Sequence, residues 1–408
     1  VEATDIAFRG VPARRARVTM ELNRNLMDFR DGEVEFDYRN YPLRQAHGGP
    51  LTGHASVDLI QYDRGKSVVN VRNLKGEAWP APIVRTFAPK IADRLESYGF
   101  HSNPGLVADG VIGIRDGRPK QDLTVRFGTN HPADYDFLGT TLRLDSPRGT
   151  VRVLADKVRV SDLRLGLFGG LLRGGLEFPM GAESITGEVD WTSVSLPSIC
   201  RAYGFRTEPN GRLTGRLDFN LDRRDVSGLN GDGHVALEGG ELFEVPIFGP
   251  LSPVISAVLG NRKAGFQEAS DAFCTFGIRK GIFSTLDFAT QTSSLVFTGD
   301  AKVDLPEKTM QMTVRMNARG LLGVLTLPLR PFYGMFQFRG TGPIEKPDWD
   351  NVMFTSPPEQ QEKTLLEPPK ARVVPQRQGG PGTRDVLERV DARADVVAVA
   401  EGQVAQVG

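Results

Sequence analysis

The sequence predicts a mostly β protein, in which one long, curved and twisted antiparallel sheet forms an open groove, with a few short crossing helices and a disordered C-terminal tail. Three observations support this fold class. Apolar and polar residues alternate along many segments, turn-forming dipeptides separate these segments, and helical periodicity is rare. The 46 glycines and 27 prolines among 408 residues are typical of an ordered chain with many turns.

Alternating apolar residues predict the strands. From residue 295 to 305 and from 310 to 318, nearly every second residue is apolar, and the residues between them are mostly polar. Residues 217–221 show the same pattern, and residues 158–167 show it after a slip of one position. Because successive side chains of a strand point to opposite faces, each segment is predicted to be a half-buried antiparallel strand.

Five dipeptides predict the tight turns of hairpins, because Asn, Asp and Gly accept the positive φ that such turns require. Each dipeptide is predicted to separate two strands. They are Asp31-Gly32, Asp109-Gly110, Asp116-Gly117, Asn210-Gly211 and Asn230-Gly231.

Helical signals are few. Residues 83–98 carry apolar side chains at helical spacing, and Gly99 is predicted to end this helix. Residues 195–203 predict a shorter helix with the same ending. The apolar stretches 245–259 and 321–338 are interrupted by prolines, so each predicts a short helix followed by irregular chain.

An internal repeat predicts the domain organisation. Tyr98-Gly99-Phe100, Pro104 and Gly110 recur 105 residues later (203 − 98) as Tyr203-Gly204-Phe205, Pro209 and Gly215. Such a repeat predicts units of several strands and a crossing helix that extend one sheet end to end. The predicted units are a first β-groove repeat at 1–125, a second at 126–230, a C-terminal region at 231–354 and a Pro-rich flexible tail at 355–408.

The charge balance excludes one class of partner. Fifty Lys and Arg residues match fifty Asp and Glu residues, so no positive surplus is available to release counterions from a nucleic acid. The chain has no run of about 18 apolar residues, the length of a membrane-spanning helix. It begins at Val1 without a signal or anchor, so we expect that such a segment was removed or that the chain is a fragment.

The residue types that bind metals or catalyse reactions show no known motif for a metal site or an active site in this sequence. Cys200 and Cys274 have no further ligand at metal spacing, and two buried thiols are favoured over a single disulfide. None of the five histidines lies four residues from another, and no phosphate-binding loop or nucleophile elbow is present. We therefore expect no enzyme, no cofactor and no metal site.

Two groups of carboxylates leave a carbohydrate-active enzyme open as a weaker alternative, because glycosidases use paired acids. The favoured interpretation is that these acids are the outward residues of half-solvated strands. The groups are Asp218, Asp222 and Asp225, and Asp300, Asp304 and Glu307.

The apolar side of so many strands needs a cover or a ligand. A second sheet would make a closed sandwich, whereas an uncovered apolar trough would mark a binding surface. Lengthwise extension supplies no facing layer, and methionine side chains adapt to flexible ligands, so the trough is favoured. On alternation alone, the predicted lining is Leu217, Phe219, Val235, Leu237, Leu286, Phe288, Leu295, Phe297, Val303, Leu305, Met310, Met312, Val314 and Met316.

Three spaced motifs carry a resemblance to a known family. They are Gly231-x-Gly233-x-Val-x-Leu237-x-x-Gly239-x-x-Leu242, Phe273-x-x-Phe276-x-Ile278-x-x-Gly281 and Leu295-x-Phe297-x-Gly299-x-Ala301-x-Val303-x-Leu305. Residues 321–332 and 340–349 look like the closing part of the same region. From about Gly211 to Val352 the chain resembles the C-terminal region of AsmA-like proteins of diderm bacteria, and 231–354 is the segment assigned to that region.

The resemblance implies a repeating β-groove that shields acyl chains. It also implies a periplasmic protein attached to the inner membrane by an N-terminal anchor that this chain lacks, which helps to move phospholipid toward the outer membrane. The implied partners are phospholipid or another acyl-chain lipid and the two membrane surfaces. The alternative is a non-catalytic β-sandwich that acts as a scaffold or partner-binding module of the cell envelope.

Overall fold

A computed structural model gives the architecture of the chain. All of the residues that it describes fall in one compact unit, Val1–Pro368. The described residues are 1–8, 10–41, 50–85, 92–93, 95–96, 98–114, 121–137, 140–180, 184–205, 210–222, 225–240, 271–291, 295–318, 337–344 and 346–352.

The described residues form 21 β-strands and two short α-helices. The helices are α1 (Pro80–Arg85) and α2 (Leu196–Ala202). The strands are β1 (Glu2–Phe8), β2 (Val11–Leu22), β3 (Leu26–Asp37), β4 (Thr52–Asp63), β5 (Val68–Glu77), β6 (Tyr98–Phe100), β7 (Gly105–Gly113), β8 (Asp122–Gly128), β9 (Ala133–Phe137), β10 (Thr140–Leu154), β11 (Lys157–Leu167), β12 (Gly170–Pro179), β13 (Ile185–Ser195), β14 (Arg212–Leu221), β15 (Leu229–Glu238), β16 (Asp271–Arg279), β17 (Ile282–Gln291), β18 (Leu295–Asp304), β19 (Thr309–Ala318), β20 (Gln337–Pro343) and β21 (Asp348–Asn351).

All strands belong to one antiparallel sheet. Nearly every strand pairs with its neighbours in sequence, so the ladder is a meander from β1 to β21. Strand β10 is longer than its partner β8, and the first residues of β10 pair with β9 instead. Strand β6 pairs with β9, so β6 and β9 form a side branch of the sheet. Within the described chain, β1 and β21 each pair on one side, so the sheet is open. The predicted mostly β, open antiparallel fold is confirmed.

Helix α2 confirms the shorter predicted helix. The Ser195 side chain accepts a hydrogen bond from the Ser198 N–H at 3.3 Å and thereby caps the first turn, where a proline also stands. Gly204 follows the C-cap residue Tyr203 with φ of 71°, the left-handed conformation that ends helices.

The longer predicted helix, residues 83–98, is partly wrong. Helix α1 begins earlier, at Pro80, and Tyr98 lies in strand β6. The Tyr98 ring stacks on Tyr135 of β9 with ring centroids 4.6 Å apart. Aromatic packing across β6 and β9 therefore overrides the helical spacing at this end, and Gly99 sits within a strand.

Three of the predicted hairpin turns are also wrong, because Asp31-Gly32, Asp109-Gly110 and Asn230-Gly231 lie inside β3, β7 and β15. Asp31 does have a positive φ, 49°, but at a register shift opposite β2. Bulges and turns both need this conformation, so the sequence signal does not separate them.

The other two dipeptides predicted to form hairpin turns are Asn210-Gly211 and Asp116-Gly117. Asn210-Gly211 leads from α2 into β14 and joins no hairpin. Asp116-Gly117 lies outside the described residues. Two of the two-residue hairpin turns in the described residues have a positive φ at both positions, namely Phe168-Gly169, with φ of 49° and 69°, and Lys280-Gly281, with φ of 51° and 74°.

Bulges recur along the ladder. Asp31, Asn73, Ser146, Asp162 and Ser193 have positive φ, and each lies at a register shift. The bulge at Asp162 confirms the slip predicted within residues 158–167. Because a bulge bends its strand and increases the local twist, this series supports a curved sheet.

Side chains of neighbouring strands satisfy the backbone at several bulges. The Asn73 N–H donates to the Asp109 carboxylate at 2.7 Å, and the Ser193 N–H donates to the Thr214 hydroxyl at 3.1 Å. An unpaired amide would cost free energy, so these acceptors help to keep the bulges in place.

The two helices leave the sheet at the same end as the connections from β15 to β16 and from β19 to β20. We call this the helical end. Two buried clusters lie here. One contains Trp79 and Ala81, and the other contains Leu142, Leu144 and Leu165. The repeat residues Tyr98 and Tyr203 both pack against the second cluster, so it joins the two crossing segments.

Several predictions fall outside the described residues, namely those for residues 245–259, 321–336 and 355–408. Gln337 and Phe338, at the end of the predicted 321–338 segment, lie in strand β20. The predicted boundaries after residues 125 and 230 fall inside β8 and β15. The division into repeats remains a prediction within one continuous ladder.

Candidate functional site

Strand register places the apolar residues on one face, because residues directly opposite in antiparallel strands share a face. One apolar row crosses nine strands, from β12 to β20, without interruption. At the strand spacing of sheets it is roughly 38 Å long. Its members are Leu176, Gly187, Phe219, Gly231, Ile278, Phe283, Val303, Met310 and Gly342. We call this side of the sheet the apolar face.

The other side, the charged face, carries ion pairs. The Arg216 guanidinium contacts Glu188, Asp190 at 3.3 Å and Asp218 at 2.9 Å, and these hydrogen-bonded carboxylates raise its pKa. Hydrogen bonds from Lys157 and Arg159 lower the pKa of Glu177. These side chains are between 28% and 60% exposed, so water screens each pair and each pair adds little stability. They mark the side of the sheet that faces water.

The middle of the apolar face is open. Leu217, Phe219, Val235, Phe276 and Phe288 are large apolar side chains that are only half-buried. The described strands all lie in one sheet, so no second sheet among them covers these residues. A buried sandwich core would leave such side chains fully enclosed.

The apolar face closes toward its C-terminal end. Phe297 is 1% exposed and Val314 is 0% exposed, and Met310 and Met312 are also buried. The apolar face is therefore most enclosed along β18 and β19, although Leu237 of β15 and Ile278 of β16 are buried as well. Alternation alone predicted that these residues line the groove like the half-buried ones, but in the structure they are buried.

Register places most of the predicted lining residues on the apolar face. They are Leu217, Phe219, Val235, Leu237, Phe288, Phe297, Val303, Met310, Met312 and Val314. Leu295 and Met316 lie in β18 and β19, but their side chains are outside the described part of the chain.

For two of the predicted lining residues, Leu286 and Leu305, the predicted position on the apolar face is wrong. Leu286 lies in a bulge between Thr285 and Phe288, out of the alternation, and is 52% exposed. Leu305 follows the last residue of β18 and stands in the turn toward β19, where its N–H donates to the Gly281 carbonyl at 3.2 Å.

Sequence reasoning missed a second set of residues on the apolar face, six pairs of a glycine opposite an aromatic ring. Glycine leaves room for a ring to lie across the neighbouring strand, which protects the glycine backbone. The pairs are Gly149–Phe127, Gly187–Phe219, Gly215–Trp191, Gly233–Phe276, Gly299–Phe288 and Gly340–Trp349. Gly233 and Gly299 belong to the motifs quoted above, so their spacing was the signal for these pairs.

Four of the six carboxylates that suggested an enzyme have structural partners. Asp218 pairs with Arg216, and Asp300 accepts from Arg315 at 2.6 Å. Asp225 and Asp304 accept backbone N–H groups in turns, at 3.0 Å each. These contacts match the favoured interpretation that the acids serve strands and turns.

No group of three or more His, Cys, Asp or Glu residues within the described ranges could hold a metal ion. His101 contacts Asp134 at 2.7 Å, and the His234 ring stacks on Phe273. Within the same ranges, no helix is long and apolar enough to cross a membrane.

Both cysteines are buried thiols and form no disulfide within the described residues, as predicted. Cys274 lies on the apolar face opposite Val235, in the row that also contains Gly215 and Trp191. Burial raises the pKa of its thiol to about 12.

We expect Gly215→Ala to lower the free energy of unfolding by about 1–3 kcal/mol, the usual cost of overpacking. A Cβ atom on Gly215 would lie 2.5 Å from Cζ2 of Trp191 and 2.4 Å from the His234 carbonyl oxygen. The control is Gly105→Ala, where the nearest atom would be 3.5 Å away. Urea unfolding of both variants measures the difference, and equal losses would contradict the close packing of Trp191 on Gly215.

We expect iodoacetamide to alkylate Cys274 of the folded protein at pH 8 at least about a hundredfold more slowly than in urea. The raised pKa leaves roughly a thousandfold less thiolate, which is the reactive form. Peptide mass spectrometry follows Cys274 and Cys200 separately. Equal rates in the folded and unfolded protein would contradict the burial of Cys274.

Comparison of the chain with family models, with curated proteins and with solved structures finds no match in any of the three. The functional assignment therefore depends on the residues of the sheet itself and on the resemblance in its C-terminal half.

Proposed function

We propose that the chain holds phospholipid or another acyl-chain lipid against its apolar face and conducts it along the sheet, without catalysing a reaction. The observation that carries this proposal is the apolar face that runs from β12 to β20, on which Leu217, Phe219, Val235, Phe276 and Phe288 are only half-buried. Large apolar side chains that stay partly exposed on one face of a sheet, opposite a charged face, favour an apolar ligand.

The dimensions of the row fit acyl chains. The strands β12 to β17, which precede the closed part of the face, span roughly 24 Å, which exceeds the length of one acyl chain, because two opposed chains fill the roughly 30 Å core of a bilayer. Burial of apolar area contributes about 25 cal/mol per Å², so several hundred Å² of contact would hold a lipid by several kcal/mol. Since the contact is apolar and non-directional, no residue fixes the chain at one position, and the lipid can slide.

The charged face supports the same proposal. Its ion pairs keep one side of the sheet in water, so the apolar side is left to the ligand. Head groups would remain at the rim of the sheet, where polar atoms and water are available. Movement would then follow a concentration gradient or the work of another machine.

The location proposed for this function comes from the AsmA-like resemblance. We place the protein in the periplasm, attached to the inner membrane through an N-terminal anchor, where it contributes to phospholipid transport toward the outer membrane. A role as a scaffold for other envelope proteins is the alternative. It predicts a native protein that carries no lipid.

We expect phospholipid to co-purify with the native protein and Leu217→Asp to reduce the bound amount at least about tenfold. A carboxylate on the apolar face would lose hydration against an acyl chain, which costs more than the 1.4 kcal/mol that a tenfold change requires. Leu217 is a better test site than Phe297 or Met312, because these two are buried and an acid there would disrupt the fold.

The matched control is Leu171→Asp. Leu171 is 36% exposed and pairs with Thr192, one position out of phase with the apolar face. Mass spectrometry of extracted lipid, with circular dichroism to verify folding, compares the two variants. A folded wild-type protein without lipid, or equal lipid loss in both variants, would rule out the proposed site.

A further inference from the structure

A second candidate site lies on the charged face, across the sheet from the apolar row. It is a depression of about 340 Å³ over strands β17 to β20. It lies at the part of the sheet where the apolar face is closed. Its lining is Ser284, Thr285, Leu286, Asp300, Ala301, Lys302, Gln311, Thr313 and Arg339.

Two cations of this depression have no partner. Neither Lys302 nor Arg339 forms an ion pair or a side-chain hydrogen bond within the described part of the chain. The Arg339 Nε is buried and has no hydrogen-bond acceptor. Elsewhere on the same face Arg216 and Arg279 are paired with carboxylates. The donors of Lys302 and Arg339 are therefore left without an acceptor among the described residues.

The nearby acids, Asp300 on β18 and Asp348 and Asp350 on β21, form no ion pair with Lys302 or Arg339 within the described residues. Asp300 already accepts a hydrogen bond from Arg315 at 2.6 Å, and the Arg315 side chain is 10% exposed. Asp350 stands opposite Arg339 on β21, but the two form no ion pair. The unsatisfied donor of Arg339 would gain an acceptor if an anion occupied the depression.

We propose that this depression binds a phosphate group. Lys302 and Arg339 lie on β18 and β20, with β19 between them and two residues out of register, so their backbones are roughly 12 Å apart. A tetrahedral phosphate has enough oxygens to accept from the ammonium and from the planar guanidinium together. Gln311 and Thr313, on the strand between them, supply further donors. The proposal is independent of lipid conduction on the opposite face.

The test is calorimetric titration of the full chain with inorganic phosphate. We expect saturable binding that Arg339→Gln and Lys302→Gln each weaken at least about tenfold, since each removes a charge-assisted hydrogen bond. Lys75→Gln is the matched control, because Lys75 is an exposed lysine of β5 outside the depression. It should bind phosphate as the wild type does.

A third variant is expected to bind phosphate more tightly, so the proposal can be tested even if the first two variants do not fold. Asp350→Asn keeps both cations and removes the acid opposite Arg339. We expect it to bind phosphate about two- to fivefold more tightly, the range of an exposed charge interaction. No saturable binding by the wild type, or unchanged affinity in all three depression variants, would overturn the proposal.

Two probes identify the source of the phosphate. Glycerol 3-phosphate is titrated as a soluble phosphate monoester, and flotation with vesicles of phosphatidylcholine and phosphatidic acid presents the same group on a lipid. Arg339-dependent binding of either probe supports the site and assigns its source. Lipid that co-purifies with the Arg339→Gln variant is measured in parallel. If this variant retains the lipid, the loss of phosphate binding is due to the depression and not to damage at the apolar face.

Discussion

One constraint organises the structure, namely that apolar side chains stay in register across many strands of a single sheet. A slip of one residue would turn the apolar side chains of a strand toward water. Bulges such as the one at Asp162 take up an extra residue and return the following apolar residues to the same side. The unbroken row from Leu176 to Gly342 is the result. Half-buried side chains on the same face, such as Leu217 and Phe276, need something apolar to cover them.

The residues that preserve this face are mostly small or polar. Glycines opposite aromatic rings let Trp191 and Phe276 lie flat across the next strand, so the rings add apolar surface without projecting from the sheet. Asp109 and Thr214 satisfy the amides at bulges. On the other side, Arg216 and its carboxylates keep the sheet in water. Each face therefore has its own chemistry, and the two proposed sites lie on opposite faces.

Alternation predicted the strands and most positions of the apolar face, because these depend on local periodicity. The helix at Ser195 was predictable for the same reason, since its cap is local. The open sheet was predicted from the internal repeat, because units that extend one sheet lengthwise supply no facing layer. Leu286 was placed wrongly because the bulge beside it depends on Asp287, whose carboxylate accepts the Thr275 N–H of the adjacent strand. The strand at Tyr98 likewise depends on a distant ring, Tyr135. The burial of Phe297 and Val314 depends on tertiary packing, which periodicity does not report.

The most direct measurement is photo-crosslinking along β14. A benzophenone amino acid replaces Leu217, Asp218, Phe219 and Asn220 in turn, and lipid adducts are counted by mass spectrometry after irradiation in the presence of phospholipid vesicles. Register assigns positions 217 and 219 to the apolar face and positions 218 and 220 to the charged face. The account predicts adducts at 217 and 219 and a background level at 218 and 220. Equal adducts at all four positions, or none at 217 and 219, would contradict it.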